Sequence, residues 1–315
     1  MHLNVYDQTL TRISAVYTWI SLLWKPTYNK GGTFQVELQL TDGVLQTFAP
    51  GHFVTYSEDD EETVMLIVSA QEYGKKVIVN GFSADWMLTK RVSNTKIEKE
   101  NAEKAIKKLF EEMTPLTNLS YGETKGFEDV FKAQKKGGDI HSYVKTICRE
   151  TDTGFRARKS GKQLLFELYK PQAGEKPNLR FSERFGNMGD KSYTVSDINA
   201  ANVALVVSGN RSVWVGNIEA TGYERKEIFV SSSSTDTEEM KTEGAEKLVE
   251  CAKIEEVRFA LLDDDAKLGD IVPVRLDSQN ITVTARITSK EIKNQNNITT
   301  KTIGVGEPIS IKRRS

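Results

Sequence analysis

This chain has few cysteines and histidines, almost no net charge and no long apolar run, and each scarcity removes a class of protein. Its two cysteines, Cys148 and Cys251, lie about a hundred residues apart within helix-like patterns, which reads as two reduced, packed thiols rather than a disulfide or a nucleophile. The three histidines, His2, His52 and His141, are scattered without metal-ligand spacing and are expected to be structural or solvent-facing. With 43 basic and 44 acidic residues the net charge is −1, so there is no global electrostatic case for a DNA-binding or anionic-membrane protein. The longest apolar stretches, Val64–Val68 and Val203–Val207, are strand-sized and do not predict a membrane span. The opening MHLNVYDQTL lacks the basic and apolar regions of a signal peptide, so synthesis and folding in a cytoplasm are expected.

What is present is an ordinary globular composition, 38% hydrophobic and 28% charged over 315 residues, enough for about two or more domains. The stretch from Asn178 to Val230 offers four β-rich runs, Leu179–Phe185, Ala204–Ser208, Ser212–Asn217 and Glu224–Val230, separated by Gly, Asn and Asp. Three of them are rich in Val and Ile, so the stretch predicts a central sheet.

Before it, the first hundred residues alternate like an antiparallel meander. Phe34, Val36, Leu38 and Leu40 recur with a period of two and fall on one face of a strand, preceded by Gly31 and Gly32 at a turn or bulge. Trp24 and Tyr28 are expected to anchor the facing strand. The acidic run Glu58–Glu62 lacks EF-hand spacing and reads as a solvated hairpin tip. From Ile97 the period changes: Ala102, Ala105, Ile106, Leu109, Phe110 and Met113 form one helical stripe ended by Pro115. A second helix starts at a cap, Asp139, and carries Ile140, Tyr143, Val144, Ile147 and Cys148. Between the two helices, Tyr121 to Gly138 reads as a mobile polar loop. Gly154–Arg158 and Leu164–Tyr169 then predict a hairpin, and PQAGEKPN a turn-rich link.

After the sheet, a polar tract, Ser231–Thr237, leads into a helix capped by Ser234, Thr235 or Asp236 and carrying Met240, Leu248, Val249 and Ala252. The last sixty or so residues return to strands and predict a closing small barrel. Asp263–Asp265 cannot all face one ion from a strand and are expected to form a charged turn, whereas Gly269 and Asp270 launch the strand IVPV.

Three blocks in order, SLLWKPTYNKGGTFQVELQL, FSERFGNMGDKSYTVSDINAANVALVVSGN and KLGDIVPVRLDSQNITVTARITSKEI, resemble the landmark blocks of siphophage tail-hub (tail-associated or tail-tip) proteins, which are similar in fold to the baseplate hub of contractile phages. The resemblance covers essentially the whole chain. It makes Trp24, Tyr28, Gly31, Phe185, Gly186, Gly269 and Asp270 structural landmarks. It implies an α+β, mostly β, fold with two barrel-like tube domains and helix-containing peripheral insertions. The expected division is a β tube domain over 1–95, an α/β insertion over 96–177, a second β tube region over 178–230, and a helix with a small barrel-like region over 231–315.

The same resemblance implies a homotrimer at the virion tail tip, assembled in the host cytoplasm, whose two tube domains per subunit continue a six-fold tube. Its implied partners are distal tail and tail tube proteins, the tape-measure protein and receptor-binding or tip proteins, with DNA only in transit. No catalytic group, cofactor, metal or membrane-spanning segment is implied. Many relatives carry C-terminal hydrolase or receptor-binding extensions, and this chain is expected to be a hub without them.

Two other functions are compatible with a chain of this composition. A cell-wall hydrolase needs paired carboxylates, a zinc set or a Cys/His pair, and the dispersed histidines supply no recognisable set. A receptor- or carbohydrate-binding tip protein would use exposed aromatics such as Trp19, Trp86 and Trp214, although aromatics within β-runs more often pack in a core.

Overall fold

The structure, a computed structural model, describes residues 1–57, 63–116, 118–171, 180–261, 266–296 and 298–313. The acidic runs at 58–62 and 263–265, and all but Pro171 of the turn-rich link at 171–178, lie outside them. The chain is mostly β, and its largest element among the described residues is one sheet of thirteen strands. The main path runs Met188–Ser196, Ile254–Leu261, Ile298–Arg313, Ile281–Gln295, Ser21–Lys25, Thr33–Gln39, Lys76–Ser83, Val64–Tyr73, Phe53–Tyr56, Leu3–Tyr6, Arg12–Val16, with Ile271–Leu276 and Phe181–Ser182 branching from Ile281–Gln295. The two end strands, Met188–Ser196 and Arg12–Val16, are each paired on one side only, so the described pairing is open rather than a closed barrel.

Two β units share this sheet, each with its own core. The N-terminal unit packs Trp24, Phe34, Val36, Leu38, Tyr56 and Ile67, and the second packs Phe181, Phe259, Val272, Val274, Ile287 and Ile303. The period of two in Phe34–Leu38 produces the first core, because alternate side chains of Thr33–Gln39 point inward; Leu40 falls past the strand end and is exposed. Pairing of Ser21–Lys25 with Ile281–Gln295, in the register Trp24↔Ile292 and Ser21↔Gln295, joins the units edge to edge.

Each unit carries a module of mixed α and β structure. The first, from Ile97 to Tyr169, holds two helices. Ala102–Glu112 is capped by the Asn101 side chain, which accepts from the Lys104 N–H, and Ile140–Glu150 by Asp139, which accepts from the Ser142 N–H. Their apolar stripes meet Phe131, Phe155 and Phe166 in one core, which also takes in Leu10, Phe53 and Leu66 of the N-terminal unit. The second module interrupts the hairpin of Met188–Ser196 and Ile254–Leu261, whose ends stay paired at Ser196↔Ile254. It stacks the helix Thr237–Glu250, capped by Asp236, on a three-stranded sheet of Val203–Ser208, Arg211–Gly216 and Glu227–Ser231. Helix and sheet approach closely at Gly244, where a Cβ would stand 2.7 Å from Val206 Cγ2.

Three expectations are corrected. The four runs between Asn178 and Val230 do not form one sheet: Phe181–Ser182 and Met188–Ser196 join the large sheet, and only the later three pair with one another. Alternation names a strand but not its partner, and here the chain makes a long excursion between strands that pair. Tyr121 to Gly138 is not simply a mobile loop, because Val130–Lys135 pairs with Ile97–Asn101 and Phe131 is fully buried. The Glu103 carboxylate ties down the rest, accepting from the N–H groups of Lys125, Gly126 and Phe127 at 2.6–2.8 Å. In the third helix Met240 is buried, but Val249 is exposed and Ala252 lies beyond the end at Glu250.

Candidate functional site

The chemistry-bearing residues gather at joints between modules. At the first joint the Tyr28 N–H donates to the Thr288 carbonyl at 2.9 Å, and the ring lies against Gly269. Gly269 has φ +90°, and a Cβ there would stand 2.8 Å from Tyr28 Cε2 and 3.0 Å from Pro171 Cγ. Arg286 lays its guanidinium over the Tyr28 ring, 5.0 Å from its centroid. It donates to the Gly269 carbonyl at 2.7 Å and to the Asp152 carboxylate of the first module at 2.6 Å. Asp270 is buried beside it: its carbonyl accepts from the Ile287 N–H at 2.8 Å, and its carboxylate accepts from the Lys267 N–H at 3.3 Å. The structure thus brings together three sequence landmarks, Tyr28, Gly269 and Asp270, and adds Arg286 and Asp152, which carried no local signal.

Gly31 lies next to this joint with φ +73°, lining a cavity of about 40 Å³ with Ser83, Asp85, Tyr169 and Leu268. His141, on the second helix, is buried with Nε2 3.1 Å from Asp85 Oδ2. Ser83, Asp85 and His141 carry the groups of a hydrolytic triad, but the Ser83 hydroxyl accepts from the Gly32 N–H at 2.9 Å and the cavity has room for a few waters rather than a substrate. The cluster fastens the Gly31–Gly32 turn to the first module. Trp24 lies in the core of the N-terminal unit. Phe185 is exposed on a short turn and Gly186 closes that turn at φ +69°, so neither belongs to a joint.

A second joint links the two modules. Lys135, almost wholly buried, donates to both Glu246 oxygens at 2.7 and 2.9 Å; Thr146 also donates to Glu246, and Gln134 to Glu239. The Lys135 ammonium lies 5.4 Å from the Tyr143 ring centroid, and burial pushes the Tyr143 hydroxyl up to about 12. A double-mutant cycle of Lys135→Met and Glu246→Gln is expected to give a coupling of about 1–3 kcal/mol by urea unfolding, with each single variant less stable than the parent. Additive effects would mean that the modules do not hold each other through this pair.

Other reactive or recognisable groups are engaged. Cys148 is buried and its thiol is pushed up to about 12 by burial, which makes it a poor nucleophile. Among the described residues no group of three or more His, Cys, Asp or Glu is disposed to hold a metal ion. Trp19 donates to Asn294 Oδ1 at 2.8 Å, and Trp86 stacks on Phe82 with the Lys90 ammonium above it. Trp214 is 44% exposed, with the Arg225 guanidinium 5.2 Å from its ring centroid.

The remaining features are surfaces. The two end strands of the large sheet expose Ile13 and Val195 beside their unpaired edges. No described helix is long and apolar enough to cross a membrane.

Against known proteins, residues 2–307 match the family described as Siphovirus ReqiPepy6 Gp37-like protein. Among curated proteins none matches. Similar solved structures include the 43 kDa tail protein of prophage MuSo2 from Shewanella oneidensis, at 9% identity and TM-score 0.61, covering 97% of this chain and 98% of that one. The tail protein from Neisseria meningitidis MC58 is similar at 10% identity and TM-score 0.59, covering 97% and 96%. Prophage tail protein gp18 from Listeria monocytogenes EGD-e is similar at 10% identity and TM-score 0.55, covering 100% and 96%. At these identities the likeness is one of fold, shared along nearly the whole chain.

Proposed function

Since the chain belongs to the Siphovirus ReqiPepy6 Gp37-like protein family, we propose that it is a structural hub of a phage tail tip, forming a ring that continues or closes the tail tube. The observation that carries this reading is the pair of β units, each with its own core, joined in one sheet whose main path ends on two different strands, each paired on one side among the described residues. Two unlike free edges on one chain suit a head-to-tail contact between copies, and such contacts close into a ring when the rotation between copies divides a full turn. Three chains then supply six β units, the number a six-fold tube requires. The tube units are the segment up to about residue 95 and the one built from 180–196 with 254–261, 271–295 and 298–313, and the modules at 97–169 and 203–250 are peripheral. Barrel-like closure belongs to the ring rather than to one chain.

In this role the partners are two further copies, the tail tube and distal tail proteins, the tape-measure protein and the receptor-binding proteins of the tip. The place of action is the virion, after assembly in the host cytoplasm. DNA passes without being held, because duplex affinity rises with each phosphate neutralised by Lys or Arg, and a net charge of −1 allows a neutral or acidic lumen. A cryo-EM reconstruction of the assembled tip should show three copies with the edges of Arg12–Val16 and Met188–Ser196 at the subunit contacts. A ring of another number, or a lumen lined mainly by Lys and Arg, overturns the proposal.

A further inference from the structure

Between the two modules lies a cleft of about 810 Å³, within the roughly 300–1,000 Å³ usual for ligand sites. Trp214, Val215 and Gly216 all line it, although successive residues of a strand point to opposite faces. Three in a row can share one cleft only where it runs along the strand's edge. Arg211–Gly216 is such an edge, paired with Val203–Ser208 alone among the described strands, and its Trp214–Gly216 end lines the opening.

The opposite wall is a β-bulge. Between the pairs Phe131↔Glu100 and Gln134↔Glu98, two residues, Lys132 and Ala133, oppose one, Lys99, which is held at φ +47°. Bulges re-aim side chains, and a positive φ at a non-glycine residue is strain that the surrounding structure must support. Here they place Lys99 and Lys132 on the cleft wall beside Arg149. Two acidic residues of the lining are paired with lysines, Glu98 with Lys96 and Glu238 with Lys241, while Glu150 accepts from the Lys132 N–H and keeps its charge. Lys99, Lys132 and Arg149 have no acidic partner among the described residues. The cleft therefore combines a free strand edge, three cations against one carboxylate without a cation partner, and the half-exposed ring of Trp214, a net positive wall.

We propose that this cleft binds an extended acidic segment of a partner protein, of about six residues, added as a strand to Arg211–Gly216 with its carboxylates on Lys99, Lys132 and Arg149. Main-chain pairing supplies the register, the cations select acidic side chains on one face of the segment, and Trp214 covers one end. An acidic saccharide would also satisfy the cations and the ring, but it would make no use of a strand edge. The proposal is independent of the ring described above.

The test uses the full chain and a fluorescein-labelled octapeptide of alternating Glu and Val. Saturable binding is expected, falling with added salt and at least about tenfold weaker in Lys132→Glu/Arg149→Gln. Both changed residues are exposed, so thermal unfolding of the variant should match the parent. The matching Lys/Val peptide should not bind, and amide exchange across Arg211–Gly216 should slow only with the acidic peptide. Absence of saturable binding, equal binding by the charge variant, or binding of polygalacturonate in place of the peptide would overturn the proposal.

Discussion

The variant Gly269→Val should accumulate poorly as folded protein, and what folds should unfold well below the parent. At φ +90° a β-branched residue is strained whatever space surrounds it. There is also no space, because the first side-chain atom would stand within 3.0 Å of both Tyr28 and Pro171. Strain and overpacking together are expected to cost about 2–6 kcal/mol, a large share of the ~5–15 kcal/mol that holds a typical domain together. Relief by movement is costly too, since the Gly269 N–H donates to the Ile287 carbonyl at 2.9 Å and its own carbonyl receives Arg286. Urea unfolding should rank parent, Gly269→Ala and Gly269→Val in decreasing stability, and Tyr28→Ala should recover part of the loss when combined with Gly269→Val. Parent-like stability in Gly269→Val with a selective loss of partner binding would show that the site is functional rather than structural.

Trp24→Ala is expected to lose about 3–5 kcal/mol, the usual effect of emptying a large buried site. The ring is fully buried between Phe34 and Tyr56, at centroid distances of 5.7 and 5.8 Å. Its strand is paired on both sides, with Thr33–Gln39 of its own unit and with Ile281–Gln295 of the other. The damage should therefore appear in both units: amide exchange should quicken around Ile292 as well as around Phe34, whereas Trp24→Phe should remain much closer to the parent. A loss confined to the N-terminal unit would mean that the seam does not depend on this packing.

What could be read from the sequence was local. Asp139 and Asp236 cap helices, and Phe34, Val36 and Leu38 alternate into a core, because these signals act within a few residues. Tyr28, Gly269 and Asp270 were each marked as structural on separate grounds, the first for its aromatic ring and the others for turn chemistry. That they touch follows from pairing between segments more than two hundred residues apart, which no local pattern encodes. Arg286 and Asp152 complete the joint without a signal of their own, since a single Arg in a strand resembles any solvated one. The average polarity of the segment from Tyr121 to Gly138 hides Phe131 and the demand of Glu103 for amide donors. Phe185 ends a β-rich run in the sequence and Gly186 is a landmark only through the resemblance, and the two form a surface turn.

The seam between the β units also fixes a schedule. Ser21–Lys25 is among the first strands to leave the ribosome, yet one of its two edges waits for Ile281–Gln295, near the end of the chain. At the usual ~5–20 residues per second, about 15 to 50 seconds of translation separate the two. Through that interval the nascent N-terminal unit presents an uncovered strand edge with its core already able to form, the condition under which chains in a crowded cell pair with the wrong neighbour. A pause late in translation, or the absence of a chaperone that shields such edges, should therefore reduce the yield of this protein more than its equilibrium stability would suggest.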